Sequence, residues 1–148
     1  MGIITIVKEI KSIHPKYVAL IRVGSFYRAY GKDAYIIATL FDYKLTEEEN
    51  VDALGFSTKA IKKVQAKLED KKINYLLIDR RDNYRVDEEM DFKNLNTYDK
   101  NFEIAKIHIN NLKRIEKINN YLMKNIDKEN LKKLLNNIEG CINATGEI

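Results

Sequence analysis

The sequence predicts an α+β fold, in which helices flank a mixed β-sheet and a helical extension follows at the C-terminal side. Two observations carry this prediction. Short apolar runs of strand length alternate with helical apolar spacing through the first two thirds of the 148 residues, as expected for one sheet covered by helices. From about residue 99 onward only helical spacing remains. We therefore divide the chain into one domain over residues 1–95 and a helical tail over residues 96–148.

The first predicted element is a helix over residues 3–13, because its apolar side chains recur on one face. His14-Pro15 ends this helix, since proline disfavours a helical backbone in the residue before it. The apolar run at residues 17–23 then predicts a buried strand, and Gly24 allows a sharp turn after it.

Helical and strand patterns continue to alternate after this turn. The apolar spacing changes to three and four at Tyr27 and predicts a helix over residues 27–41. The acidic run at residues 47–50 is expected to be a solvated loop. Residues 51–56 predict a short strand, and Ser57 is suited to cap the helix that follows it.

The most apolar strand is predicted at residues 73–79, followed by a turn at residues 81–83. The pattern of residues 84–86 predicts a further strand, in which the chain returns to the sheet after this turn. Because acidic residues follow it at once, we expect this strand to lie at an edge of the sheet.

The tail predicts two amphipathic helices. Apolar residues form one helical stripe over residues 102–122, and a second helix is expected to begin after Asp127 as its N-cap. Such apolar faces are buried on the domain, on each other or on a partner. Packing within the chain is favoured, and a homodimer joined through these helices is the alternative.

Composition describes an ordinary globular chain with a mildly basic balance. The net charge is +4 with a pI near 9.0, and residues 1–45 hold seven Lys or Arg against three Asp or Glu, which permits binding to nucleic acid. The single cysteine, Cys141, excludes an internal disulfide and a cysteine-based metal cluster. No apolar run approaches the roughly 20 residues of a membrane span, and no signal peptide is recognised. We expect a cytoplasmic protein without membrane association.

Residues 22–30 are the most informative segment. A glycine follows the predicted strand, and three aromatic residues and two arginines lie around it. An aromatic ring beside basic residues can test a base stack while the cations hold phosphate. The alternative is that these aromatic side chains fill a core, as most aromatic residues do.

The order of these elements resembles the N-terminal mismatch-recognition domain of MutS proteins. That family has a His-Pro before the strand, then Gly-Asp-Phe-Tyr-Glu, an Asp-Ala pair and a later Gly-Ile-Pro. The resemblance covers roughly residues 3–90 of this chain. The corresponding residues here are His14-Pro15, Gly24-Ser25-Phe26-Tyr27-Arg28, Asp33-Ala34 and Gly55-Phe56-Ser57.

The resemblance implies a non-catalytic module that binds mismatched or distorted double-stranded DNA. In the family the phenylalanine enters the minor groove as a wedge and stacks on the mispaired base, which assigns that role to Phe26. The DNA-contacting set that we predict around it consists of Ser25, Tyr27, Arg28, Arg22 and Lys32.

Two positions depart from the family pattern. Arg28 stands where the family has a glutamate that hydrogen-bonds the displaced base, and Ser25 stands where it has an aspartate. Arginine only donates hydrogen bonds and attracts phosphate, whereas glutamate accepts them and repels it. We therefore expect higher affinity for any duplex and weaker discrimination of mismatches.

Other chemistries find little support in the sequence, and we expect no enzyme, no metal and no cofactor. A phosphate-binding loop is not matched, because six residues separate Gly24 from Gly31 and Asp33 follows Lys32. A nuclease would need carboxylates converging on one point, but the six between residues 79 and 91 flank a turn. The open alternative is a protein-interaction or oligomerisation module that has kept the fold and lost mismatch recognition.

Overall fold

The computed structural model describes residues 2–146 and shows one six-stranded mixed sheet with helices on both faces. The strand order is β3-β4-β2-β1-β5-β6, and β1 and β5 are the parallel pair. The predicted α+β class with a helical C-terminal region is confirmed. The strands are β1 Val18–Val23, β2 Phe26–Tyr30, β3 Thr46–Glu48, β4 Val51–Ser57, β5 Tyr75–Asp79 and β6 Arg85–Met90, and the helices are α1 Ile3–Ile13, α2 Lys32–Phe41, α3 Ile61–Asp70, α4 Asn96–Lys124 and α5 Glu129–Ala144.

A tight hairpin joins β1 and β2 and corrects the helix predicted from Tyr27. Val23 pairs with Phe26, so only Gly24 and Ser25 form the turn, with Gly24 at a φ of 64° that favours glycine. Pairing of β2 with both β1 and β4 overrides the helical spacing of its apolar residues. The helix begins only at Lys32.

A second hairpin corrects the loop predicted at residues 47–50. The edge strand β3 pairs with β4, and Glu48 lies opposite Val51. Glu49 and Asn50 form the turn between them, both with positive φ angles. This pairing places the Glu48 side chain at an edge of the sheet.

The two sheet faces carry two separate hydrophobic cores. The face that we call the α2 face packs against α2, α3 and the first part of α4. The opposite α1 face packs against the single helix α1. Because side chains alternate along a strand, each residue of β2 belongs to one face or the other.

A buried carboxylate ties the helices to the sheet. Asp33 is fully buried and accepts hydrogen bonds from the Ala19 backbone N–H at 3.0 Å, the Lys11 ammonium at 3.0 Å and the Tyr98 hydroxyl at 2.5 Å. Burial raises the pKa of Asp33, whereas the Lys11 charge lowers it, with a raised value as the outcome. This one side chain therefore links α1, β1, α2 and α4.

The described residues form two compact units that divide between Ile109 and Asn110, inside α4. In the second unit, α5 has Lys128 at its N-cap with no side-chain hydrogen bond, which corrects the predicted Asp127 cap. Among the residues that the structure describes, no helix combines the length and hydropathy of a bilayer span.

Candidate nucleic-acid interface

Five strands begin or finish at the same end of the sheet. We call this end, which is distinct from the edge strands, the turn edge. At this edge β1, β4 and β5 end, while β2 and β6 begin, because β1 and β5 are parallel and the other pairs are antiparallel. The Gly24–Ser25 turn lies in the middle of the edge. The Ser25 carbonyl accepts a hydrogen bond of 2.9 Å from the Thr58 backbone N–H, which ties the turn to the end of β4.

Phe26 is the aromatic side chain that this edge leaves exposed. Its exposed fraction is 51%, and the residue belongs to neither hydrophobic core. It alternates with Tyr27 and therefore points to the α1 face, where Val23 opposite it is half-buried. A ring at the first position of β2, beside a two-residue turn, is held on a rigid backbone.

Tyr27 corrects the predicted set of DNA contacts. Its ring is 7% exposed and stacks on Phe56 at 5.8 Å with an interplanar angle of 23°, inside the α2-face core. Burial raises the pKa of Tyr27. The ring fills the core and is not available to stack on a base.

The two predicted arginines lie on opposite faces of the sheet. Arg28 shares the α1 face with Phe26, and its guanidinium lies 3.8 Å from the Glu48 carboxylate. Arg22 pairs with Tyr27, which places it on the α2 face, and its Nε donates a 3.4 Å hydrogen bond to the Gly24 carbonyl. Arg22 is exposed at the turn edge but does not share a face with the Phe26 ring.

Lys32 is not brought to the turn edge. It begins α2 beyond the far end of β2, and that strand alone spans about 13 Å. Its ammonium lies 5.0 Å from the centre of the Phe102 ring, which is a cation–π contact. Lys32 is therefore removed from the group of side chains around Phe26.

Three exposed cations at the turn edge were not among the predicted contacts. Lys59 lies in the short 3-10 helix Thr58–Ala60 after β4, and Arg80 and Arg81 lie in the helix Arg80–Asp82 after β5. Within residues 2–146 none of the three makes an ion pair. The signal in the sequence was the pair Arg80-Arg81 directly after an apolar strand.

Three carboxylates beside this edge have polar partners. Arg85 makes ion pairs of 3.0 Å with Asp82 and 3.1 Å with Asp87, and Glu88 accepts a hydrogen bond from Gln65. Among the described residues no three His, Cys, Asp or Glu side chains are placed to hold a metal ion. The edge thus combines one exposed ring with unpaired cations.

One protein family matches the part of the chain that forms the sheet. The family described as MutS domain I matches residues 1–93, which include the whole sheet and the turn edge. No curated protein matches the chain.

Proposed function

This chain belongs to the MutS domain I family, and we propose that it is a non-catalytic module that binds mismatched or distorted double-stranded DNA. The exposed ring of Phe26 acts as the wedge. Cations at the turn edge hold the phosphates on either side. The single observation that carries the proposal is the exposure of this ring at the tip of a hairpin whose neighbouring aromatic side chains are buried.

The preference of the Phe26 wedge for distorted duplexes would come from the weaker base stacking of such DNA. Insertion of an apolar ring between base pairs costs a few kcal/mol of stacking free energy. A mismatched or bulged position has already lost part of that stacking, so insertion there costs less. Phe26 would therefore read deformability and not sequence.

The cations supply the part of the affinity that is independent of sequence. Arg22 is exposed near the end of β1, and Lys59, Arg80 and Arg81 are exposed in the short helices that follow β4 and β5 at the turn edge. Each phosphate that such a side chain neutralises releases counterions, which makes the affinity fall with salt. Arg28 adds a fifth cation on the face of the wedge, and Ser25 lies in the turn itself.

The experiment is a binding series with fluorescently labelled matched, mismatched and bulged duplexes at several salt concentrations. We expect tighter binding to the two distorted duplexes, and we expect Phe26→Ala to remove that preference. Ile13→Ala is the matched control, because it removes another exposed apolar side chain at the end of α1. Equal affinity for all three duplexes, unchanged by Phe26→Ala, would leave only electrostatic attraction.

We also propose that the tail joins two copies of the chain. A single module buries about 600–1,000 Å² on DNA, too little for tight binding by itself. In the second unit, α4 exposes Ile115, Ile118 and Tyr121 by 54–61%, and a second copy would cover such apolar side chains. Sedimentation of the full chain tests this, with Ile118→Asp expected to yield a monomer.

The alternative function is an interaction or oligomerisation module without DNA recognition. The same exposed apolar side chains of the tail favour it. Binding to none of the duplexes at low salt, together with a stable dimer, would select this alternative.

A further inference from the structure

Glu48 and Arg28 form an ion pair across β4, on the sheet face that carries Phe26. Glu48 shares this face with its partner Val51, which packs in the α1-face core. The β4 residue opposite Arg28 is Gly55, which has no side chain. The long side chains of β2 and β3 therefore meet over β4, with 3.8 Å between the Arg28 Nη1 and the Glu48 Oε2.

The pair lacks the hydrogen bond that would lock it. Charge-assisted hydrogen bonds between nitrogen and oxygen are about 2.7–2.9 Å long, well below the observed separation. Within the described residues, the buried Glu48 Oε2 and the buried Tyr30 hydroxyl have no hydrogen-bond partner. Burial raises the pKa of Tyr30, and Glu48 raises it further. The guanidinium is thus attracted to Glu48 and can still exchange it for another anion.

We infer that Glu48 is an affinity-limiting residue, which holds the Arg28 charge in the free protein and must give it up before Arg28 can bind a phosphate of the duplex. The inference rests on the proposed DNA-binding function. While the two charges face each other they nearly cancel, so a passing phosphate gains little from Arg28. Arg28 lies two residues from Phe26, about 7 Å along β2, so a duplex seated on the ring brings its phosphates within reach.

Charge removal at two neighbouring positions tests this inference. Glu48→Gln removes the partner of Arg28, whereas Glu47→Gln removes the same charge from the opposite face of β3, where Glu47 is exposed. Both substitutions are measured with matched and single-base-bulge duplexes over a salt series. Each is made in the wild-type chain and in the Arg28→Gln chain.

The expected result is a gain of affinity that depends on Arg28. Glu48→Gln should strengthen binding to the matched duplex about twofold to fivefold, the size of one half-exposed ion pair. It should increase the magnitude of the slope of log affinity against log salt by about 0.9, which corresponds to one further phosphate contact. The bulged duplex should gain at least as much, because Arg28 leaves Glu48 in that complex and the substitution removes the cost of parting the pair. Both gains should vanish in the Arg28→Gln chain.

Two results would overturn the inference: an equal gain from Glu47→Gln, or a gain that persists without Arg28. No effect of Glu48→Gln, with a bulge preference that Phe26→Ala abolishes, would reject the role of Glu48 and keep the proposed function. Absence of binding by the wild type and every variant would reject both.

Discussion

Phe26 and Tyr27 are neighbours in the chain and lie on opposite faces of β2. The Phe26 ring is half-exposed on the α1 face, whereas the Tyr27 ring stacks on Phe56 in the α2-face core. Alternation of side chains along the strand produces this separation. The two adjacent aromatic residues therefore have different roles: Phe26 is available to a ligand, and Tyr27 packs the sheet against its helices.

Stability measurements on these two residues should separate their roles. We expect Phe26→Ala to lower the free energy of unfolding by about 1 kcal/mol, because only about half of its side chain is removed from water. Tyr27→Ala should cost about 3–5 kcal/mol, as for other large aromatic side chains removed from a core. Urea denaturation followed by circular dichroism measures both. A loss of similar size at the two positions would show that Phe26 is a core residue in solution.

The buried Asp33 should be sensitive to replacement by asparagine, which has only one acceptor oxygen where both carboxylate oxygens accept hydrogen bonds. Asp33→Asn leaves the Lys11 ammonium without its counter-ion and disturbs the hydrogen bonds from Ala19 and Tyr98. We expect a cost of about 2 kcal/mol in the free energy of unfolding. Asp42→Asn, at an exposed position with a left-handed backbone that asparagine tolerates, is the control. Equal values for the two variants would contradict the role that the contacts assign to Asp33.

Alkaline pH should destabilise the domain through its buried tyrosines. Burial and the neighbouring Glu69 together raise the pKa of Tyr75 to about 12, whereas an unfolded tyrosine titrates near 10. The unfolded state therefore loses its proton first, and the stability that the neutral side chain contributes falls as the pH rises from about 10 through 12.

Thermal melting between pH 8 and pH 12 measures this effect. Tyr75→Phe should show a shallower decline of the melting temperature over that range, since the substituted ring cannot ionise. Tyr121→Phe is the control at an exposed position in the tail. A decline that Tyr75→Phe leaves unchanged would show that other groups cause it.

Substitution of the cations at the turn edge should show whether they contact phosphate. Replacing Arg80 or Arg81 with glutamine should weaken binding to matched and mismatched duplexes alike. Each replacement should also reduce the magnitude of the salt slope by about 0.9. Lys71→Gln removes the same charge just before β5, at the other end of that strand, and should have little effect. Equal effects of all three substitutions would indicate a response to net charge alone.

Local chemistry in the sequence was enough to locate most elements of the fold. The helix at residues 3–13, its end at His14-Pro15 and the Ser57 cap follow from apolar periodicity, from proline and from a side-chain oxygen that accepts the Lys59 N–H. The helix predicted from Tyr27 is wrong, because pairing with two neighbouring strands outweighs the spacing of its side chains. Apolar spacing in a short segment does not distinguish the two structures.

The sequence by itself determined the α+β class, the family and the presence of an aromatic turn among basic residues. Only the tertiary structure decided which ring of that turn is exposed and which cations stand beside it. Lys59, Arg80 and Arg81 come from segments far apart in the chain, and the parallel pairing of β1 with β5 brings them to one edge. The contact of Arg28 with Glu48 depends on three strands in register, and register is set by long-range packing that no local pattern contains.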